Sequence, residues 1–157
     1  LVEKSDYKRI VNDSSSAHYG IDFEFDNMNG EKKYSGFDVY KKSKLANVMF
    51  TYELAKRIEG TGITANCLHP GFVSTNFGKN NNFLWRNVIR VAMWLTAISV
   101  KNGAKTSIHL ACSDEVKDIT GKFFANSQIK KGSSKAKNEE HNRKLWELSE
   151  EFVEKFV

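Results

Sequence analysis

Apolar positions along this chain change period several times, and each change predicts an element. Ile10 and Val11 lie in a short β-type run, Arg9–Asn12, that breaks into Asp13-Ser14-Ser15-Ser16. It reads as a strand ending in a polar loop. Residues 17–36 carry turn-formers (Gly20, Asp26-Asn27, Asn29-Gly30, Ser35-Gly36) around the isolated Phe23 and Phe25, a loop long enough to suggest function. Leu45, Val48, Met49, Tyr52, Ala55 and Ile58 recur at spacings of three and four, which predicts a helix from Asp38 to Glu59 stopped by Gly60. Ile63–Leu68 is a second strand, closed by His69-Pro70-Gly71, and residues 72–82 are loop. Phe83 to Ile98 is apolar and aromatic. Ser99 is placed to cap a helix over Val100–Cys112. Ile119–Phe124 is a third strand, and after a basic loop residues 134–156 form a helix with Leu145, Leu148, Phe152 and Phe156 on one stripe. Strands alternating with helices predict an α/β fold with a parallel sheet.

Composition narrows the function classes. The chain has 157 residues, 40% hydrophobic and 27% charged, which is globular and excludes wholesale disorder. Its 24 basic and 19 acidic residues leave a net charge of +5. The charge is spread along the chain, so no nucleic-acid partner is expected. Cys67 and Cys112 fit neither a CxxC pair nor a Cys/His ligand spacing, so both are expected as buried reduced thiols, no metal is expected, and a cytoplasmic location fits. Leu1–Asp6 has no apolar signal-peptide region and reads as the end of a helix already under way. The stretch Phe83–Ile98, 16 residues with two arginines, is short for a membrane span. Its aromatic part, Phe83–Trp94, is expected as a lid over an apolar pocket, with plain packing as the main alternative and an interfacial membrane helix in peripheral membrane contact as a further one.

The chemistry gathers where the strands end, because ligands of open parallel sheets sit beyond the carboxyl ends of the strands. One end carries Ser14-Ser15-Ser16 and the next His69-Pro70-Gly71. Between them, Tyr40 and Lys44 are four residues apart and share a helix face. A phenol titrates near ~10 when unperturbed. A neighbouring ammonium favours the phenolate, so the pair suits proton transfer to or from a substrate oxygen, and a serine hydroxyl can hold that oxygen. Tyr52 and Lys56 have the same spacing but lie about a third of a turn away around the helix, and they are read as structural.

As a set, Arg9-Ile10-Val11-Asn12, Ser14-Ser15-Ser16-Ala17-His18, Tyr40-x-x-Ser43-Lys44-Leu45-Ala46-Asn47, Ile63-Thr64-Ala65-Asn66-x-Leu68-His69-Pro70-Gly71 and Gly121-Lys122-x-Phe124 resemble the short-chain dehydrogenase/reductase family, more narrowly its retinol dehydrogenase-like members. The resemblance spans essentially the whole chain. It implies that residues 1–157 are the C-terminal part of a single doubly wound, Rossmann-like dinucleotide-binding domain. The phosphate-binding half would be absent, because no Gly-rich strand-to-helix loop exists here; Gly60-Thr61-Gly62 runs from helix to strand instead. It implies Tyr40 as catalytic acid/base and Lys44 as the group that lowers its pKa and holds the nicotinamide ribose. Ser15, rather than Ser14 or Ser16, would be the catalytic serine. Pro70, Gly71 and Val73 would border the nicotinamide, and Thr75 would reach the cofactor phosphates. The implied cofactor is NADP or NAD, with NADP favoured by the subgroup. The implied reaction is hydride transfer with a small, lipophilic alcohol/carbonyl substrate, and the implied assembly is a homo-oligomer. Asp13 departs from the pattern, where an apolar residue is usual. With the missing phosphate loop, it motivates the alternative of a non-catalytic scaffold or interaction protein on the same fold. His69 is expected to serve backbone geometry, and His109 and His141 to be surface or packing residues. An uncovered sheet edge is expected as well, either paired by more of the same protein or a cause of self-association.

Overall fold

A computed structural model describes residues 2–28, 30–71, 73 and 98–156. Among these residues four strands form one sheet in the order β1 (Arg9–Asp13), β2 (Thr64–Leu68), β3 (Phe123–Ala125), β4 (Gln128–Lys130). β1 and β2 run parallel with Arg9 opposite Thr64 and Asp13 opposite Leu68, and β2 and β3 run parallel with Cys67 opposite Phe123. Among the described residues three α-helices accompany them: α1 (Gly36–Arg57), α2 (Val100–Cys112) and α3 (Glu139–Glu154).

The period-two alternation of the strands splits the core into two layers. Cys67 and Phe123 face Leu45, Val48 and Met49 of α1 and Leu145 of α3. Their neighbours Leu68 and Phe124 face Leu110 of α2 and Val116. Thus α1 and α3 cover one face of the sheet and α2 the other. Phe123 and Phe124 are both almost fully buried, each contributing about 1.5–3 kcal/mol from removal of apolar surface from water.

Local signals set the helix ends. Ser35 Oγ accepts from the Asp38 N–H (3.4 Å), and Lys56 and Arg57 occupy the last turn of α1, where cations suit the helix dipole. Gly60 follows with φ +80°. Ser99 Oγ caps α2 through the Asn102 N–H at 3.3 Å.

Several expectations need correction. The sheet is parallel only as far as β3, because β4 returns antiparallel through Asn126 and Ser127, both at positive φ, the backbone of a tight hairpin turn. The third strand begins at Phe123 rather than Ile119 because side chains take over the ladder there. The Ala65 N–H donates to Thr120 Oγ1 (3.0 Å) and Asn66 Nδ2 donates to the Ile119 carbonyl (2.5 Å), while Gly121 takes φ +66°. Residues 135–137 form a 3-10 turn, and α3 starts after Asn138, whose Oδ1 accepts from the His141 N–H. The apolar stripe of α3 buries Leu145, but Phe152 and Phe156 are exposed. Cys67 is buried as expected; Cys112 is exposed, and both thiols are free. Val2–Lys4 form a 3-10 turn. The lid assigned to Phe83–Trp94 and the loop assigned to 72–82, apart from Val73, lie outside the described residues. Among the described residues no helix is long and apolar enough to cross a membrane.

Tyr52 and Lys56 are structural, each with its own partner. Lys56 Nζ pairs with Glu139 of α3 at 2.8 Å. Tyr52 packs on the α1–α3 core, with its hydroxyl against Gly132, where an added Cβ would come within 2.3 Å. Gly132→Ala should therefore cost about 1–3 kcal/mol by overpacking, read by urea denaturation. Tyr52→Phe in the same chain should recover part of that loss, because the next ring atom is 3.4 Å from the new Cβ.

Candidate active site at the ends of β1 and β2

A seam of polar bonds fastens the end of β1 to the inner face of α1. Asn12 Nδ2 donates to Thr51 Oγ1 (2.9 Å), Ser14 Oγ donates to the Lys44 carbonyl (2.7 Å) and Asn47 Nδ2 donates to the Asp13 carbonyl (2.9 Å). Thr51 Oγ1 in turn donates to the Asn47 carbonyl at 2.7 Å. The Ser14 N–H donates to the Leu68 carbonyl at 2.7 Å, continuing the β1–β2 ladder by one residue. These bonds bring the serine string, the middle of α1 and the His69-Pro70-Gly71 turn to one rim.

On that rim Lys44 Nζ lies 5.8 Å from the centroid of the Tyr40 ring, as their spacing predicts. Phe37 stacks beside Tyr40 at 6.4 Å. The neighbouring lysines are engaged elsewhere: Lys41 with Asp38 at 2.8 Å and Lys42 with Glu24 at 2.6 Å. Among the described residues Lys44 has no carboxylate within ion-pair distance. Its ammonium therefore keeps donors for a ligand hydroxyl.

The serines divide their work. Ser14 is buried and its hydroxyl proton is committed to Lys44. Ser15 is half-buried and its Oγ accepts from the Ala17 N–H at 3.2 Å, which leaves its hydroxyl proton for an acceptor at the rim. Pro70 and Gly71 follow β2 directly. Val73 forms a parallel bridge with Ile98 and packs on Gly103 of α2, where an added Cβ would lie 2.5 Å from Val73 Cγ2. Thr75 lies outside the described residues.

Two histidines flank the site in opposite tautomers. His18 is fully buried. Its Nε2 accepts from the Ser133 N–H (3.1 Å), so Nδ1 carries the proton and donates to the Ser15 carbonyl at 2.6 Å. Both nitrogens are used, so His18 is a pin that holds the serine loop to the segment before α3. His69 Nδ1 accepts from the Gly71 N–H at 3.0 Å, so its proton sits on Nε2. Burial pulls both imidazoles below their ordinary pKa, opposed at His18 by the Ser15 carbonyl and at His69 by Asp13. Asp13 ends β1 at the surface. Partial loss of water raises its pKa, with Lys44 and His69 pulling it down. The half-buried phenol of Tyr52 is pushed up to about 12 by desolvation, the wrong direction for proton transfer at neutral pH.

A short-chain dehydrogenase family model matches residues 26–83. The chain is 39% identical over 155 residues to retinol dehydrogenase 14 of Mus musculus, covering 98% of this chain and 46% of that protein. It is 36% identical over 151 residues to retinol dehydrogenase 11 of Homo sapiens, covering 94% and 46%. The chain is thus similar to the short-chain dehydrogenase family over residues 26–83 and to retinol dehydrogenases over nearly its whole length. It spans about half the length of the curated relatives it matches. Among solved structures, an uncharacterized protein from Mycobacterium Paratuberculosis matches with TM-score 0.68 and 26% identity, covering 93% of this chain and 50% of that one. A blue fluorescent protein from a metagenomic library, in complex with NADPH, matches with TM-score 0.51 and 26% identity over 74% of this chain and 42% of its own.

The family match agrees with the motif set, and the missed features have identifiable causes. His18 gave no signal as a pin because its partner Ser133 is 115 residues away. The serine run could have pointed to Ser14 as a fastener, since Asn12 and Ser14 share a strand face with period two.

Because both site histidines are held neutral, protons bind the unfolded chain more readily than the folded one. Stability is complete above the ordinary histidine value of 6.5 and falls as pH drops from there through the lowered folded values. The raised pKa of Asp13 acts with the opposite sign, from near its ordinary 3.8 upward. Urea denaturation across this range should show the histidine loss, and replacing His18 and His69 should flatten it.

Proposed function

We propose that the full-length protein is an NAD(P)-dependent oxidoreductase that interconverts an alcohol and a carbonyl, with Tyr40 as its acid/base. The observation that carries this reading is the Tyr40–Lys44 pair on one helix face, fastened to the serine loop by the Ser14 bond to the Lys44 carbonyl. In the reducing direction the Tyr40 hydroxyl gives its proton to the oxygen of the nascent alkoxide; in the oxidising direction the phenolate takes the alcohol proton. Lys44 stabilises the phenolate through its charge. Ser15 donates to the same substrate oxygen and fixes its position.

The donor set fits a nicotinamide dinucleotide. Lys44 retains N–H donors for ribose hydroxyls, and the Pro70–Gly71 turn and Val73 would border the ring, with Thr75 toward the phosphates. Such a cofactor supplies the hydride, while the protein supplies position and proton transfer. A structural relative in complex with NADPH supports the assignment. β1 has a neighbouring strand on one side only among the described residues, which supports reading this chain as the C-terminal part of a larger doubly wound sheet. The curated relatives carry retinol in their names, so a lipophilic alcohol or aldehyde of that class is the first substrate to test.

In the full-length protein Tyr40→Phe should lower turnover by about 10²–10⁴-fold while leaving the circular dichroism spectrum and dinucleotide affinity intact. Near-normal turnover would contradict the assignment. Failure of wild-type protein to bind either NADPH or NADH in a titration would favour a non-catalytic scaffold instead.

A further inference from the structure

His69 stands at the junction between β2 and the turn that would border the dinucleotide, and three observations fix it there. Its backbone N–H donates to the Phe124 carbonyl at 3.0 Å, extending the β2–β3 pairing by one residue. Its ring stacks on Phe123 at 5.8 Å with an interplanar angle of 21°. Its Nδ1 accepts the Gly71 N–H two residues on, at 3.0 Å. Pro70, between them, has no N–H to offer. Gly71 holds φ +87°, and an added Cβ would come within 2.9 Å of Ile98 Cδ1. The turn is therefore defined by a glycine at 71 and an acceptor at 69.

A side-chain acceptor bonded to the N–H two residues on is the arrangement by which Asn and Asp close turns. Here an imidazole nitrogen takes that place, and with it comes a sensitivity that an amide oxygen lacks. Nδ1 can accept the Gly71 hydrogen only while it carries none itself. A proton on Nδ1 would face the Gly71 N–H with a second N–H, so the bond and the protonated ring are mutually exclusive.

We propose that His69 is a positioning residue that closes the Pro70–Gly71 turn through Nδ1, and that protonation of that nitrogen releases the turn. The chemistry around the ring sets how readily this happens. Asp13, at the end of β1, favours the protonated ring. His18, in the turn after β1, is electrostatically coupled to it. Lys44, on α1, acts on Asp13. β3 presents the apolar ring of Phe123, and α2, on the opposite side of the sheet end, carries Lys101, Lys105 and His109. Desolvation dominates and keeps the ring neutral and the turn closed at neutral pH. The consequence for dinucleotide binding rests on the proposed function; the latch itself does not.

Two readouts test it in the full-length protein. Titrations with NADH, which lacks a titrating 2′-phosphate, are run from pH ~8 down to ~5, across the imidazole range. His69→Leu should weaken NADH binding about tenfold at the upper end, the loss of one part-buried hydrogen bond. His69→Asn, which restores a non-titrating acceptor, should recover most of that affinity and lose the part of the acid weakening that wild type shows. Independently, the ring ¹⁵N shifts at neutral pH should report an unprotonated Nδ1, and the Gly71 amide should lose protection, measured against its intrinsic exchange rate at each pH, as the ring titrates. The proposal is overturned if His69→Asn binds as weakly as His69→Leu, if wild-type and His69→Asn affinities fall in parallel with acid, or if Nδ1 carries the proton at neutral pH. If wild type binds no dinucleotide at any pH, the enzymatic reading fails, while the ¹⁵N shifts and the Gly71 exchange still decide the latch.

Discussion

The site depends on one polar seam inside an otherwise apolar α/β interface. Ser14 Oγ reaches the Lys44 carbonyl, Asn47 reaches the Asp13 carbonyl, and Asn12 reaches Thr51. Apolar packing of Leu45, Val48 and Met49 against the sheet makes α1 cover this face but leaves it free to slide or rotate by small amounts. Hydrogen bonds are directional, and a buried donor that loses its acceptor costs about 1–3 kcal/mol. The seam therefore fixes which turn of α1 lies beside the end of β1. That register places Tyr40 and Lys44 at the rim and leaves Tyr52, with the same lysine spacing, under the segment before α3.

The same economy runs through the rim. Ser14 gives its proton to the helix, which separates its role from that of Ser15 one residue later. His18 spends both ring nitrogens holding the serine loop to Ser133, whereas His69 spends one on Gly71. Two imidazoles in one neighbourhood thus carry opposite tautomers because their bonding partners differ, a donor N–H in each case but on opposite ring nitrogens. Asp13, the residue that departs from the family pattern, ends its strand at the surface, within electrostatic reach of Lys44 and His69. A carboxylate is tolerable there because it stays in contact with water and the Lys44 ammonium offsets part of its charge.

Much of this was legible in the chain because the decisive signals were local. Ser35, Gly60, His69-Pro70 and Ser99 punctuate α1, β2 and α2, and these elements fall within two residues of where the hydrophobic period puts them. The Tyr40–Lys44 face follows from helical geometry alone. The features that were not legible depend on distant partners or weak local patterns. β4 has a single apolar residue, Ile129, in a three-residue strand, and its hairpin turn, Asn126-Ser127, contains no glycine. The late start of β3 depends on Thr120 intercepting the Ala65 N–H, a bond across 55 residues. The stripe at the end of α3 was visible as a pattern, but Phe152 and Phe156 stay exposed, because a pattern says which face could be buried and not what is present to bury it.

In the proposed reaction a nicotinamide cofactor held at this rim would supply a hydride to a carbonyl carbon, and Tyr40 would protonate the oxygen. Isotope transfer tests it most directly. The full-length protein is incubated with a reduced dinucleotide carrying deuterium at the transferable C4 position and a lipophilic aldehyde, and the product is weighed by mass spectrometry. The expected product is an alcohol with the deuterium on its carbinol carbon, formed by wild type and nearly absent with Tyr40→Phe. Unlabelled alcohol, or labelled alcohol formed equally well without the Tyr40 hydroxyl, would contradict it.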